Sequence, residues 1–186
     1  MTALLTGFRT RVLDILCNGR GTDGSLGAQA QNRSIAANRY RPSANNAPLE
    51  SLGAESFDRA VRVAPASIGD EPFANNELSS AQLRVMSVFI EVGYAQGATP
   101  AFIDAKGSEV AATVQYTARE RAISDAEMIK RALTFPELYQ ASGDDPEIVV
   151  ITRNGRSEVT EMADRVVCRT VYDVTLQLNA TTAYNG

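Results

Sequence analysis

Apolar and polar positions alternate along residues 165–179. One parity carries Val166, Cys168, Thr170, Tyr172, Val174, Leu176 and Leu178, and the other carries Val167, Arg169, Val171, Asp173, Thr175, Gln177 and Asn179. Successive side chains of a strand point to opposite faces, so the spacing predicts a strand with one apolar and one mostly polar face. At ~3.3 Å per residue it spans roughly 50 Å, more than a small core needs, and the excess suggests use in an assembly. Residues 83–94 predict a second long strand. Met86, Val88, Ile90, Val92 and Tyr94 share one face, with Leu83, Val85 and Phe89 on the other, the pattern of a central strand covered on both sides. Residues 57–63 give a shorter strand that ends at Pro65. Residues 147–153 and 156–161 read as a hairpin around Asn154-Gly155, because a two-residue hairpin turn needs positive φ at both central positions.

Helical spacing appears twice. Leu5, Phe8, Val12, Ile15 and Leu16 form one stripe over residues 2–17, with Gly19 as the stop. Residues 108–133 form the second region, through Val110, Val114, Thr117, Ile123, Met128, Ile129, Ala132 and Leu133. Ser108 is placed to cap its start. Ser124-x-x-Glu127 reads as a capping box at which the helix breaks and restarts. Phe135-Pro136 closes the region. Strands with helices set apart predict an α+β fold, a mostly antiparallel sheet with an N-terminal helix and a middle helix packed on it. Residues 1–179 are expected to form one domain, with 180–186 a flexible tail.

Residues 18–56 break the pattern. Gly, Asn, Ser, Ala, Gln and Arg dominate, and no periodicity persists, so a long extended loop or arm is expected there. Charge is uneven as well. The whole chain is −4, yet residues 1–42 carry six Arg and two Asp. Arg20, Arg33, Arg39 and Arg41 are therefore candidate contacts for an acidic partner or for phosphates. Net acidity gives no general case for nucleic-acid binding.

The candidate chemistry is thin. The chain has no His, which removes the commonest general base, the Ser-His and Cys-His pairs and His-ligated metal sites. Gly19 to Gly24 matches the dinucleotide pattern G-x-G-x-x-G, but a helix precedes it where the phosphate-binding turn needs a strand. A nucleotide- or phosphate-binding enzyme is kept only as a second alternative on that basis. Asp70, Glu71 and Glu77 lack the regular spacing of a calcium loop. Glu120 and Glu127 share a helix side only in an unbroken helix, and a solvated face is the plainer reading. Cys17 and Cys168 each sit on an apolar parity and read as buried free thiols. No cofactor, metal or catalytic residue is expected. No apolar run is long enough for a membrane span, and the N-terminus lacks signal-peptide features, so an intracellular site of synthesis is expected.

Four stretches carry a resemblance. They are the N-terminal helix with Phe8, Val12 and Ile15; R-V-M-S-V-F-I-E-V from Arg84 to Val92; I-K-R-A-L from Ile129 to Leu133; and V-Y-D-V-T-L from Val171 to Leu176. In this order they resemble the tail terminator (tail completion) proteins of long-tailed bacteriophages, over roughly residues 1–17 and 57–179. The resemblance implies a homo-oligomeric ring of about six copies that caps the tail tube, ends its polymerisation and joins tail to head. The implied partners are the protein itself, the tail tube protein and a neck or head-completion protein, with DNA passing transiently through the ring. The implied location is the head-proximal end of the virion tail, after assembly in the host cytoplasm. The chain departs from the pattern in its length and in residues 18–56, which leaves open a head–tail neck or connector role. Sheet edges extended across subunits would suit a closed ring. The expected interface residues are then Arg169, Asp173 and Gln177 on the last strand, Arg153, Asn154 and Arg156 at the hairpin tip, and the arginines of residues 18–56.

Overall fold

The computed structural model describes residues 2–66, 82–96, 102–103, 109–110, 117–140 and 147–178. Its helices are α1 (Thr2–Cys17), α2 (Ala28–Gln31), α3 (Ala54–Phe57), α4 (Ala118–Leu133) and α5 (Pro136–Tyr139). Its strands are β1 (Arg41–Pro42), β2 (Ala60–Pro65), β3 (Gln82–Ala95), β4 (Phe102–Ile103), β5 (Glu109–Val110), β6 (Glu147–Glu161) and β7 (Arg165–Leu178). Among the described residues, five strands form one sheet in the order β1-β2-β3-β7-β6. β1 runs parallel to β2 and the other pairings are antiparallel. Among the described residues β4 and β5 pair with each other, apart from that sheet. The fold is α+β, with the N-terminal and middle helices on a mostly antiparallel sheet, as the periodicity predicts.

The helices bury their stripes on one face of the sheet. Phe8, Val12, Ile15 and Leu16 of α1 and Ala122, Ala126, Ile129 and Leu133 of α4 join Val61, Val63, Val88, Ile90, Val92, Tyr94, Tyr172, Val174 and Leu176 in one core. At about 25 cal/mol per Å² of apolar surface removed from water, each fully buried large side chain contributes about 1.5–3 kcal/mol. A second cluster, Leu49, Phe57, Ala60 and Val167, lies on the opposite face at one end of the sheet. β3 is thus the central strand, but its second face is covered only at that end, and toward the other end Val85 stands 48% exposed.

Three local expectations change. Asn154-Gly155 is not a hairpin turn. β6 runs continuously from Glu147 to Glu161, and its register against β7 slips between Asn154–Val171 and Glu158–Arg169. Gly155, at φ +75°, supplies the positive φ of a bulge, which the same dipeptide suits as well as it suits a turn. The chain reverses instead at residues 162–164, where the Met162 N–H reaches the Arg165 carbonyl at 2.8 Å.

The middle helix begins at Ala118, and Glu109–Val110 is a strand. Its capping box is Thr117 with Glu120. The helix runs unbroken through Ser124, so Ser124-x-x-Glu127 is not a cap. Ser108, Asp70, Glu71, Glu77 and residues 180–186 lie outside the described residues.

Residues 18–56 contain only short elements, yet they are not an extended arm. Ala30, Ile35, Tyr40 and Leu49 are buried, and a polar network pins the segment down. Asp125 of α4 accepts hydrogen bonds from Arg39 Nη2 at 3.1 Å and Tyr94 Oη at 3.2 Å, and Arg59 Nε lies 3.5 Å away. Arg121 donates to both Asp58 oxygens and to the Ala95 carbonyl. Buried charge is tolerated only when paired and hydrogen-bonded, and this network meets that condition around Asp125. Burial, followed by the nearby Asp125 charge, pushes the Tyr40 and Tyr94 phenols well above their ordinary range.

Candidate assembly surface

One edge of the sheet is closed from within the chain. The Arg41 N–H reaches the Arg59 carbonyl at 3.1 Å and the Ser43 N–H reaches the Val61 carbonyl at 2.7 Å. Asn46 then does with its side chain what a neighbouring strand does with its backbone. Its Oδ1 accepts from the Val63 N–H at 3.1 Å, and its Nδ2 donates to the Val63 carbonyl at 2.8 Å. Asn45 and Asn46 both take positive φ, of 51° and 55°, the left-handed region that asparagine enters more readily than bulkier residues.

β6 forms the other edge. Near its start the Val149 carbonyl accepts from Gln140 Nε2 at 3.2 Å and Tyr139 Oη at 3.5 Å. Further on, the bulge leaves Gly155, Arg156 and Ser157 opposite Thr170. Covering side chains and bulges are how natural sheets blunt their edges. The β2 edge is thus engaged within the chain, while the β6 edge is engaged at the Val149 carbonyl and interrupted at the bulge.

What remains is the second face, which β3, β7 and β6 share. Register places its residues in rows. Inside the end row of Leu83, Gln177 and Glu147 come Val85, Thr175 and Val150, followed by Ser87, Asp173 and Thr152, then Phe89, Val171 and Asn154, then Glu91, Arg169 and Glu158. Val85 and Val150 are 48% and 37% exposed. The innermost of these rows is a charged lock. Glu91 has a fully buried side chain, held by Arg62 and Arg169. Both guanidiniums also stack on Phe89, at 5.5 and 4.7 Å from the ring centre.

The expected interface residues do not gather in one place. Arg20 bonds Asp14 and the Gln140 carbonyl, Arg33 stacks on Phe135 at 4.5 Å, and Arg39 is buried against Asp125. Arg41 is exposed beside the closed edge. Arg153 bonds Glu127 and Ser157, so the bulge that replaces the expected tip is less cationic than its sequence suggests. Arg156 is exposed. Arg169, Asp173 and Asn154 lie on the second face, where Asp173 accepts from Ser87 Oγ at 2.6 Å and Asn154 Nδ2 at 2.9 Å. Gln177 is half-buried, opposite Leu83 and Glu147. The surface row of Val85 and Val150 was missed as a site because β-branched residues on a strand read first as core.

The glycine loop serves the end of α1. Gly19, at φ +74°, lets the Arg20 N–H join the Asn18 N–H on the Asp14 carbonyl. A Cβ at Gly19 would sit 2.8 Å from the Ala37 nitrogen, so the returning chain occupies the space above the loop. Among the described residues no group of three or more His, Cys, Asp or Glu could hold a metal ion, and no helix is long and apolar enough to cross a membrane. No protein-family model matches the chain, and no curated protein matches it.

Proposed function

We propose that this protein is a structural virion component that forms a ring on the tail tube of a long-tailed bacteriophage, ends tube growth and joins tail to head. The order of its elements supports the reading, together with one structural observation. Three paired strands of 14 or 15 residues carry the solvent-facing row Val85, Thr175 and Val150. Side chains mounted on a hydrogen-bonded ladder are held more rigidly than side chains on loops, which suits repeated docking of identical subunits. Contact runs through this face, because the β2 edge is closed within the chain and a bulge interrupts the β6 edge. About six copies close the ring, and closure leaves no unsatisfied copy of the interface.

The test is sedimentation and electron microscopy of the purified protein alone and with tail tubes. A ring-sized species, or tubes capped at one end, is the expected result. A strictly monomeric protein that ignores tubes overturns the reading. Attachment of labelled protein to filled heads rather than to tails supports the neck or head-completion alternative.

A further inference from the structure

Two asparagine–glycine pairs fall within the described residues, Asn18-Gly19 and Asn154-Gly155, and the fold treats them oppositely. Gly19 is buried. Its carbonyl accepts from the Thr22 N–H at 3.0 Å and the Thr22 hydroxyl at 2.6 Å, and a Cβ built on it would meet the Ala37 nitrogen at 2.8 Å. Gly155 is exposed, with nothing within 4 Å of a Cβ built on it. It also sits where the β6–β7 ladder is interrupted, so the peptide joining it to Asn154 escapes the regular pairing that fixes the rest of β6.

We propose that Asn154 is a site of spontaneous, structure-selected deamidation. The Gly155 backbone nitrogen attacks Cγ of Asn154. A new N–C bond forms, the Cγ–Nδ2 bond breaks, and the amide group leaves as ammonia, taking the Gly155 amide proton. The resulting five-membered succinimide is opened by water. Attack at the side-chain carbonyl gives aspartate, and attack at the backbone carbonyl gives isoaspartate, with one extra carbon in the main chain. Glycine favours the step because it has no side chain to block ring closure. A buried, pinned glycine such as Gly19 cannot reach the same geometry.

The product changes the second face of the sheet. Asn154 Nδ2 donates to Asp173 Oδ2 at 2.9 Å. Conversion puts a second carboxylate against the first and turns an attraction into like-charge repulsion. The isoaspartate form also shifts the β6 backbone at the bulge. Age of the chain is thereby written onto the face beside Val85 and Val150.

The test uses the full-length protein, incubated folded and, separately, in denaturant at mildly alkaline pH. A protease that cuts after glutamate releases residues 148–158, and mass spectrometry reads the succinimide, the acid and the isoaspartate at Asn154 and Asn18. The folded protein is expected to convert Asn154 several-fold faster than Asn18, and the denatured chain to convert both at similar rates. Gly155→Ala should slow Asn154 several-fold in either state. Equal conversion of the two sites in the folded protein overturns the proposal. So does an Asn154 that reacts only when the chain is denatured.

Discussion

Arg39 donates to Asp125 across 3.1 Å, with both side chains buried and 86 residues between them in sequence. The pair fastens an irregular segment to the middle helix. Asp125→Ala leaves the Arg39 and Arg59 guanidiniums buried without that carboxylate. It is expected to cost about 3–5 kcal/mol in urea unfolding. Adding Arg39→Met should recover part of that loss, giving a non-additive double-mutant cycle. Strict additivity would show that the two residues do not act as a pair.

Gly93 sits where the 57–59 backbone lies against the sheet. A Cβ there would meet the Phe57 carbonyl oxygen at 2.7 Å and its ring at 2.9 Å, and the Arg59 N–H bonds the Gly93 carbonyl at 2.7 Å. Gly93→Val should destabilise by about 1–3 kcal/mol through overpacking. Proteolysis should then begin within residues 43–58 before it begins elsewhere. Unchanged cleavage and stability would contradict the close approach.

Thr117 and Glu120 satisfy each other's backbone at the start of α4. Thr117→Ala should cost about 1 kcal/mol. The Glu120 carboxyl is held below its usual range by hydrogen bonds from the Thr117 backbone and side chain. Its contribution is therefore present above the ordinary glutamate pKa and is lost as pH falls through the lowered folded value. A pH series of melting temperatures should show a shallower acid fall in the variant than in the parent.

Burial pushes the Cys17 thiol up to about 12, and burial also raises Cys168. The thiolate is the nucleophile. Iodoacetamide at neutral pH should leave both cysteines unlabelled in the folded protein and should label both in denaturant. Rapid labelling of either native thiol would place it at the surface.

Val85→Asp replaces a half-exposed row residue without opening a cavity. Folding stability should fall by about 1 kcal/mol, while self-association or attachment to tubes is lost. Full retention of assembly would move the contact away from this face.

Periodicity placed the long strands and the first helix because burial there follows a period of two or 3.6 without interruption. It mistook Asn154-Gly155 because a positive-φ glycine serves a bulge and a turn equally, and only the partner strand decides between them. Ser124-x-x-Glu127 and Thr117-x-x-Glu120 fit one short pattern, and only the start of the helix shows which of them caps it. The packing of residues 18–56 was unreadable for a different reason. Its anchors, Arg39, Tyr40 and Asn46, are polar or isolated, and their partners Asp125, Tyr94 and Val63 lie on other elements. The second-face row was visible as alternation, but its exposure depends on where the 43–58 segment stops covering the sheet.

β7 is an interior strand of the sheet, between β3 and β6, although it is the last of the described strands in sequence. While residues 165–178 are still inside the ribosome, β3 and β6 have no common neighbour, and the helices lack half the floor on which they rest. Such distant pairing makes folding slow. A nascent chain must wait, partly open, until residues 165–178 have emerged. Chaperone demand should therefore persist until β7 emerges, and a stop codon before residue 165 should yield degraded fragments rather than a smaller folded protein.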